Sequence, residues 1–173
     1  MNFAILPMLP DHWPAVRSIY GEGIATGNAT FETELPAWEK WDAAHRKDCR
    51  LVALAGSDHR NRELTGGVEV LGWAALNPVS ARHVYRGVAE VSVYVAAAAR
   101  GHGVGTQLLK VLVEQSETNG IWTLQAGIFP ENAASLKLHK SSGFRDVGAR
   151  RKIGELNNVW RDVLLLERRS DKI

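Results

Sequence analysis

The segment Arg100-Gly101-His102-Gly103-Val104-Gly105-Thr106 joins two stretches of different character. Residues 89–95 before it, Ala-Glu-Val-Ser-Val-Tyr-Val, have the composition of a strand, and residues 107–114 after it, Gln-Leu-Leu-Lys-Val-Leu-Val-Glu, have the pattern of a helix. A glycine-rich turn that leads from a strand into a helix offers free N–H groups and the positive end of the helix dipole to an anion. The segment therefore predicts a phosphate-binding loop, to which Arg100 adds a fixed positive charge.

Two common kinds of phosphate loop do not fit this segment. A Walker loop requires Lys and then Ser or Thr after its second glycine, whereas Gly105 is followed by Thr-Gln. The dinucleotide fingerprint G-x-G-x-x-G begins with Gly101 and Gly103, but Thr106 stands in place of its third glycine. The spacing that does fit is Arg-x-x-Gly-x-Gly, formed by Arg100, Gly103 and Gly105.

A second block, residues 132–144, reads Asn-Ala-Ala-Ser-Leu-Lys-Leu-His-Lys-Ser-Ser-Gly-Phe. Asn132 is a good N-cap residue, and Pro130 lies just upstream, as is common at helix starts. Gly143 stands where a helix favours a left-handed residue at its end. The block therefore predicts a short helix.

Composition and charge narrow the class of protein. The chain has 173 residues, 45% of them hydrophobic and 23% charged, and its formal net charge is +2. One domain, residues 1–173, is expected from that length. The near balance of charge argues against a nucleic-acid binder. Cys49 is the single cysteine, so no internal disulfide forms, and the six histidines lack the spacing of a metal site. The sequence has no long apolar run of the kind that indicates a leader or a membrane span. We therefore expect a cytoplasmic protein.

The chain alternates strand-like and helix-like segments, which predicts an α/β fold with a mixed sheet of six or seven strands and about four helices. The last two strands form an antiparallel pair around a turn at residues 154–158, and residues 57–65 form a polar turn. Helices are predicted at residues 11–22, 36–47, 103–118 and from 132 onward, and strands at 3–8, 51–55, 68–76, 88–95, 121–129, 144–151 and 159–167.

The two motifs together resemble the GNAT N-acetyltransferase superfamily, in which Arg-x-x-Gly-x-Gly binds the pyrophosphate of acetyl-CoA. The second block is similar to its motif Asn-x-x-Ser/Ala-x-x-Leu-Tyr/His-x-x-x-Gly-Phe. The resemblance implies that the fold is a GNAT fold with splayed central strands, that acetyl-CoA is the co-substrate, and that main-chain N–H groups before the loop hold its carbonyl. The implied cofactor-binding residues are Val93, Tyr94, Val95, Arg100, Gly101, His102, Gly103, Val104, Gly105, Thr106, Asn132 and Ser135.

Acetyl transfer to an amine requires an uncharged nitrogen, although an α-amino group with a pKa of about 8 is mostly protonated at neutral pH. Glu90 is the candidate general base. Strand alternation places Glu90, Ser92 and Tyr94 on one face, and partial burial of a carboxylate there would raise its pKa. The alternative is a structural ion pair of Glu90 with Arg82 or Arg86.

The sequence Glu-x-Ser-Val-Tyr-Val that begins at Glu90 is similar to the phosphinothricin N-acetyltransferase branch, whose members acetylate α-amino groups of glutamate-like or methionine-like amino acids. The resemblance implies that Glu90 is the base and that His139, where many members carry Tyr, protonates the leaving thiolate or relays a proton. Alternatively, His139 is an inert residue on the helix surface. A homodimer is also implied.

The candidate substrate-binding residues follow from the chemistry of an amino acid and from the resemblance. An amino acid presents a carboxylate, for which an Arg is the natural bidentate partner, and Arg82 with Tyr85 matches the branch pattern. Phe31 and Glu32 lie in a segment that borders the substrate pocket in this branch. Trp160 would form part of the pocket wall. Alternatively, Phe31 and Trp160 fill the core.

Three functions remain open at this point. The first is acetylation of phosphinothricin, methionine sulfoximine or methionine sulfone, with a small-molecule amine as partner and no nucleic acid or membrane. The second is acetylation of another amine, such as an aminoglycoside, a polyamine or a protein N-terminus. Arg82, His83 and Arg86 before Glu90 favour an anionic substrate over a polycation. The third is a non-catalytic acyl-CoA-binding module, which is disfavoured because Glu90 and Asn132 are both present.

Overall fold

The computed structural model describes residues 1–56 and 69–173. Across these ranges a seven-stranded sheet runs in the order β1-β2-β3-β4-β5-β7-β6. Its pairs are antiparallel except for β4 with β5, which are parallel. The strands are β1 Phe3–Pro7, β2 Arg50–Ala55, β3 Val70–Pro78, β4 Val88–Val95, β5 Thr123–Ile128, β6 Arg145–Leu156 and β7 Val159–Arg169.

Four α-helices cover the sheet in these same ranges, two on each face. They are α1 Trp13–Ala25, α2 Trp38–Ala44, α3 Val104–Thr118 and α4 Ala133–Ser141. The mixed sheet and the number of helices confirm the α/β fold expected from the sequence. None of these helices has the length and the apolar character that crossing a membrane requires.

Two cores lie on opposite faces of the sheet. On one face, Leu108 and Leu112 of α3 are fully buried against Leu51, Ala74 and the other residues of the larger core, which also holds the buried Cys49. Their spacing of four residues produces the apolar stripe of an amphipathic helix. On the other face, Val16, Ile19, Trp41, Trp73 and their neighbours pack α1 and α2 against the sheet.

Strand β4 contributes to both cores because its side chains alternate between the faces. Ala89 and Val91 are buried in the larger core, whereas Tyr94 packs among the residues of the second. The Tyr94 ring stacks on Trp73, with 4.8 Å between centroids, and a Cβ on Gly23 of α1 would lie 2.6 Å from the same ring. Gly23 is therefore needed for α1 to approach β4.

Several predicted bounds shift. The first helix starts two residues later, since Pro10–His12 form a 3-10 turn, and α2 is shorter than expected. The predicted turn at 154–158 is wrong. Strand β6 continues to Leu156, and only Asn157 and Asn158 turn the chain, with φ of 51° and 63°. Positive φ at both positions is the geometry of a tight two-residue hairpin turn. The predicted polar turn at 57–65 and the predicted start of β3 at residue 68 lie outside the described residues.

Candidate active site

The sheet opens between β4 and β5. These two strands pair only at Val88 with Thr123, Ala89 with Leu124 and Glu90 with Gln125. Beyond Glu90, β4 keeps its pairing with β3 on one edge, and no strand of the described ranges pairs with the other edge. This is the splayed pair that the sequence resemblance predicts. The carboxylate expected to act as base therefore lies at the point where the two strands part.

A groove of about 560 Å³ lies on one side of this opening, between the end of β4, the glycine-rich loop, α3 and α4. Gly101 and Gly103 have φ of 79° and 82°, and a Cβ at either would meet nothing within 4 Å. Glycine is thus required there by backbone conformation, because other L-residues rarely adopt positive φ. Gly103 is the N-cap of α3 and provides no side-chain cap, so the first-turn N–H groups of α3 are left for a ligand.

Two side chains fix the course of this loop. The Ala97 N–H donates to the Glu22 carboxylate over 2.7 Å, which ties the loop to α1. The Arg100 Nε donates to the Val95 carbonyl over 3.4 Å, and the rest of the Arg100 side chain is exposed. The loop therefore offers a cation beside a free helix N-terminus, which is the arrangement that a pyrophosphate requires.

The main chain of β4 faces the groove at every second residue. The Ala96 N–H donates to the Leu71 carbonyl of β3 over 2.9 Å, and polar groups of neighbouring residues in a strand point to opposite edges. Tyr94 therefore directs its N–H toward β3, whereas Val93 and Val95 direct theirs into the opening. Of the three β4 residues predicted to hold the thioester carbonyl, Val93 and Val95 have suitably directed donors. Tyr94 contributes its ring to the wall.

Asn132 caps α4 as predicted, because its Oδ1 accepts the Ser135 N–H over 3.1 Å. Its amide nitrogen donates to the Asn28 carbonyl over 3.1 Å, a contact that the sequence did not suggest. Arg161 of β7 braces the same region, donating to Gly27, to Asn28 and to the carboxylate of Glu131. Asn132 thus lines the groove and also holds the segment after α1 in place.

A second cavity, of about 440 Å³, lies on the other side of the opening and is called the acceptor cavity below. It shares Ala29, Val93, Tyr94 and Asn132 with the groove, so the two spaces meet along β4. Its remaining wall comes from separate segments of the chain: Tyr20 of α1, residues 30–32, β4, β5 with Phe129, α4, β6 and β7. Two compounds entering from opposite sides would therefore meet near Val93 and Tyr94, with Glu90 on the acceptor side of that point.

The Glu90 carboxyl lines the acceptor cavity and is reached by solvent through it. The protein atoms around it desolvate the charged form and raise the pKa of Glu90, and the positive charge of Arg150 offsets part of that rise. A Cβ on Gly127 would lie 3.7 Å from Glu90 Oε1, so β5 leaves room beside the carboxylate. None of the ion pairs within residues 1–56 and 69–173 includes Glu90, contrary to the structural alternative.

His139 lines the acceptor cavity from α4 and is only 4% exposed. His139 therefore does not lie on the helix surface, contrary to the alternative, and its part in the reaction stays a prediction. Its Nδ1 lies 2.9 Å from the Ser135 carbonyl, which can only accept, so Nδ1 carries the proton and Nε2 has a free lone pair. Burial lowers the pKa of His139, opposed by the bond to Ser135. Nε2 is buried and has no partner among the described residues.

Phe31 and Glu32 line the acceptor cavity as predicted. The Phe31 ring meets Phe129 edge to face at 4.8 Å, and a Cβ on Gly154 would lie 2.7 Å from the same ring. Phe31 is 37% exposed, so it lines the cavity and does not fill the core. Glu32 lies 3.9 Å from Lys40 in an exposed ion pair.

Three predicted substrate residues lie elsewhere in the chain. Arg82 is exposed and its guanidinium lies over the Tyr85 ring at 5.5 Å, next to a short 3-10 turn. Trp160 is 57% exposed beside the hairpin turn and borders a different, shallower depression. None of the three is among the residues that line the acceptor cavity. Their role in substrate binding stays a prediction.

Strand β6 supplies wall residues that the sequence interpretation missed. Arg150, Ile153 and Gly154 line the acceptor cavity. The sequence Arg-Arg-Lys at 150–152 looks like an ordinary solvated surface run, and its position depends on the pairing of β6 with β7. The one available signal was the glycine at 154 inside a strand, which often marks an irregularity or a close approach.

A cofactor groove that meets an acceptor cavity lined by a carboxylate is the arrangement of an enzyme that transfers a group between two compounds. Residues 13–144 match the family described as Acetyltransferase (GNAT) family. The chain belongs to this family and is an acetyl-CoA-dependent N-acetyltransferase, with acetyl-CoA as its co-substrate.

Similar proteins include enzymes that are named for particular amino-acid-like substrates. The chain is 36% identical to the phosphinothricin N-acetyltransferase of Alcaligenes faecalis, over 91% of this chain and 78% of that protein. It is 30% identical to the L-methionine sulfoximine/L-methionine sulfone acetyltransferase of Pseudomonas paraeruginosa, over 91% and 89%. The structure of a GNAT superfamily phosphinothricin acetyltransferase from Sinorhizobium meliloti in complex with AcCoA superposes with a TM-score of 0.82, at 26% identity over 98% and 89%.

Proposed function

We propose that this enzyme transfers the acetyl group of acetyl-CoA to the α-amino group of a small amino-acid-like compound of the phosphinothricin, methionine sulfoximine or methionine sulfone type. The observation that carries the proposal is the position of Glu90, at the point where β4 and β5 part and beside a cavity of about 440 Å³. A cavity of that size suits a small acceptor. The two relatives named for such substrates support this choice.

Glu90 is the proposed general base. The acceptor enters as an ammonium ion, and its nitrogen can attack only after one proton has left. A carboxylate with a raised pKa accepts that proton more readily than an ordinary exposed one, directly or through a water molecule. Acetyl-CoA supplies the thioester carbonyl that the freed amine attacks. The proton taken up by Glu90 then returns to solvent through the open side of the cavity.

The N–H groups of Val93 and Val95 are proposed to hold the thioester. Negative charge develops on the carbonyl oxygen as the amine attacks, and donors already aimed at that position need no rearrangement. Loss of one such donor costs about 3–4 kcal/mol in enzymes where it has been measured. Because the donors are main-chain groups, the Val93 and Val95 side chains remain available for packing.

His139 is proposed to relay a proton between the acetylated nitrogen, which must lose its second proton, and the departing thiolate, which must gain one. The free lone pair on Nε2 makes the neutral imidazole an acceptor first and a donor only after it has taken up a proton. Its lowered pKa favours this order, since a standing imidazolium is disfavoured.

The remaining parts of the proposal concern assembly and location. The β6–β7 hairpin exposes Val147, Ile153, Val159 and Trp160, each at least 45% accessible, and this apolar surface supports the homodimer that the resemblance implies. Sedimentation velocity at micromolar concentration tests it, and a monomer throughout would contradict it. Location in the cytoplasm stays a prediction.

The test of the function is a thiol-release assay with acetyl-CoA against a panel of amines. The panel contains phosphinothricin, methionine sulfoximine, methionine sulfone, the common amino acids, a polyamine, an aminoglycoside and a short peptide. We expect kcat/KM above about 10⁴ M⁻¹s⁻¹, an ordinary enzymatic value, for at least one of the first three. Preferred turnover of the polyamine, the aminoglycoside or the peptide would overturn the substrate class and leave the acetyltransferase in place.

A further inference from the structure

The acceptor cavity has an uneven distribution of charge. Two carboxylates, those of Glu32 and Glu90, line it, and Arg150 is the one Lys or Arg among its lining residues in the described chain. An α-amino acid carries an ammonium and a carboxylate on the same carbon. A cavity that orients such a compound requires a cationic partner as well as the carboxylate that meets the amine.

Arg150 lies at the edge of an irregularity in β6. Arg150 pairs with Val163 and Gly154 pairs with Arg161, so three residues of β6 lie opposite the single residue Asp162 of β7. Within this bulge, Lys152 has a φ of 47°, and its N–H donates to Asp162 Oδ1 over 2.7 Å. Bulges of this kind redirect side chains and are common beside active sites. Arg150 faces the cavity together with its partner Val163, and the bulge that follows brings Ile153 to the same wall.

The guanidinium of Arg150 is available to a ligand. No ion pair within residues 1–56 and 69–173 includes it, although Arg145 on the same strand pairs with Glu167. Its charge acts on Glu90 across the cavity, but the two side chains make no direct ion pair. Arg150 and the proposed base line the same cavity of about 440 Å³, which can therefore offer a small zwitterion both a cation and a carboxylate.

We infer that Arg150 binds the carboxylate of the acceptor and so turns its amine toward Glu90. This inference rests on the proposed function, since it assigns one substrate contact in that reaction. It places the anion partner on β6, whereas the sequence resemblance places it at Arg82 in the segment before β4. A planar fork of donors suits a carboxylate, so lysine at this position would keep the charge and lose the paired geometry.

The experiment compares acceptors with and without the anion. L-methionine sulfone and its carboxamide differ in that one group, and kcat/KM for both is measured with wild type, Arg150→Ala, Arg150→Lys and Arg82→Ala. Arg151→Ala is the matched control, because Arg151 is the exposed neighbour in the bulge and does not line the cavity. Binding of acetyl-CoA, measured by calorimetry, reports on the integrity of the fold in each variant.

We expect Arg150→Ala to lower kcat/KM for the carboxylate by about 10- to 100-fold, the value of a charge-assisted hydrogen bond, and to change the carboxamide little. The kcat/KM of Arg150→Lys should fall between those of wild type and Arg150→Ala. Arg151→Ala should match wild type. An Arg150→Ala enzyme that binds acetyl-CoA normally and keeps the wild-type ratio of the two acceptors overturns the inference. So does a loss of that ratio in Arg82→Ala alone. Failure of wild type on every amine overturns the proposed function itself.

Discussion

The two spaces that meet along β4 are built in different ways. More than half of the groove's lining residues come from one continuous stretch, residues 93–106, and α1, the segment after it and α4 supply the rest. The acceptor cavity is lined from seven stretches of the chain, which include β4, β5, β6 and β7. The first construction holds its ligand largely through one local motif. The second can change its ligand through substitutions that leave the sheet intact.

The largest expected effect belongs to Glu90, which lines the acceptor cavity. Glu90→Gln should lower kcat by about 10²- to 10⁴-fold at neutral pH, the usual contribution of a general base. The deficit should shrink as pH rises through about 8, because free amine then accumulates without help. In the wild type, rate should fall as pH falls through the raised pKa of Glu90, since the protonated carboxyl is no base.

The measurement for Glu90→Gln is a pH profile of kcat with saturating acetyl-CoA, and the control is acetyl-CoA affinity, which should not change. A loss of the same size at every pH would show that Glu90 positions the acceptor and takes no proton. In that case the groove and the acceptor cavity would both serve to position a ligand, and they would differ only in how they are built.

A smaller effect should appear on the groove side alone. Arg100→Ala should raise the Kd for acetyl-CoA by about 10- to 100-fold, because a charge-assisted contact to phosphate is worth about 1.5–3 kcal/mol. The KM of the acceptor should stay near the wild-type value, since Arg100 does not line the acceptor cavity. Calorimetry with acetyl-CoA gives the first value and steady-state kinetics the second. Equal losses in both would show that the two spaces are not independent.

The smallest effect should appear on the acceptor side alone. In Gly154→Ala the new methyl group would lie 2.7 Å from Phe31, so the ring must move within the cavity wall. We expect the acceptor KM to rise roughly five-fold, at the low end of the cost of overpacking, because the half-exposed ring can yield. The acetyl-CoA Kd should not change. Gly148→Ala on the same strand is the matched control, since its Cβ would meet nothing within 4 Å. An equal effect of both substitutions would exclude Phe31 as the cause.

The sequence predicted the groove and the position of the candidate base because their signals are local. Gly103, Asn132 and Glu90 each lie within a short motif whose backbone geometry follows from its own residues. Strand β4 was predicted with its observed bounds for the same reason. These features need only the order of strand, loop and helix.

The acceptor cavity was predicted only in part. Phe31 and Glu32 were identified through resemblance, but Arg150 reaches the wall through its pairing with Val163, which depends on two strands. No pattern within β6 alone indicates that register. The predicted turn at 154–158 was wrong for the same reason, because it overlooked that pairing and ended β6 too early.

The burial of Cys49 has a practical consequence for assays that detect free thiols. Its thiol is the only one in the chain, it is fully buried, and burial raises its pKa to about 12. A protonated and inaccessible thiol reacts slowly with disulfide reagents. A dye that reports free thiols would therefore count released coenzyme A while the enzyme stays folded. A slow signal of one thiol per chain would instead record unfolding, so a single reagent separates turnover from loss of structure.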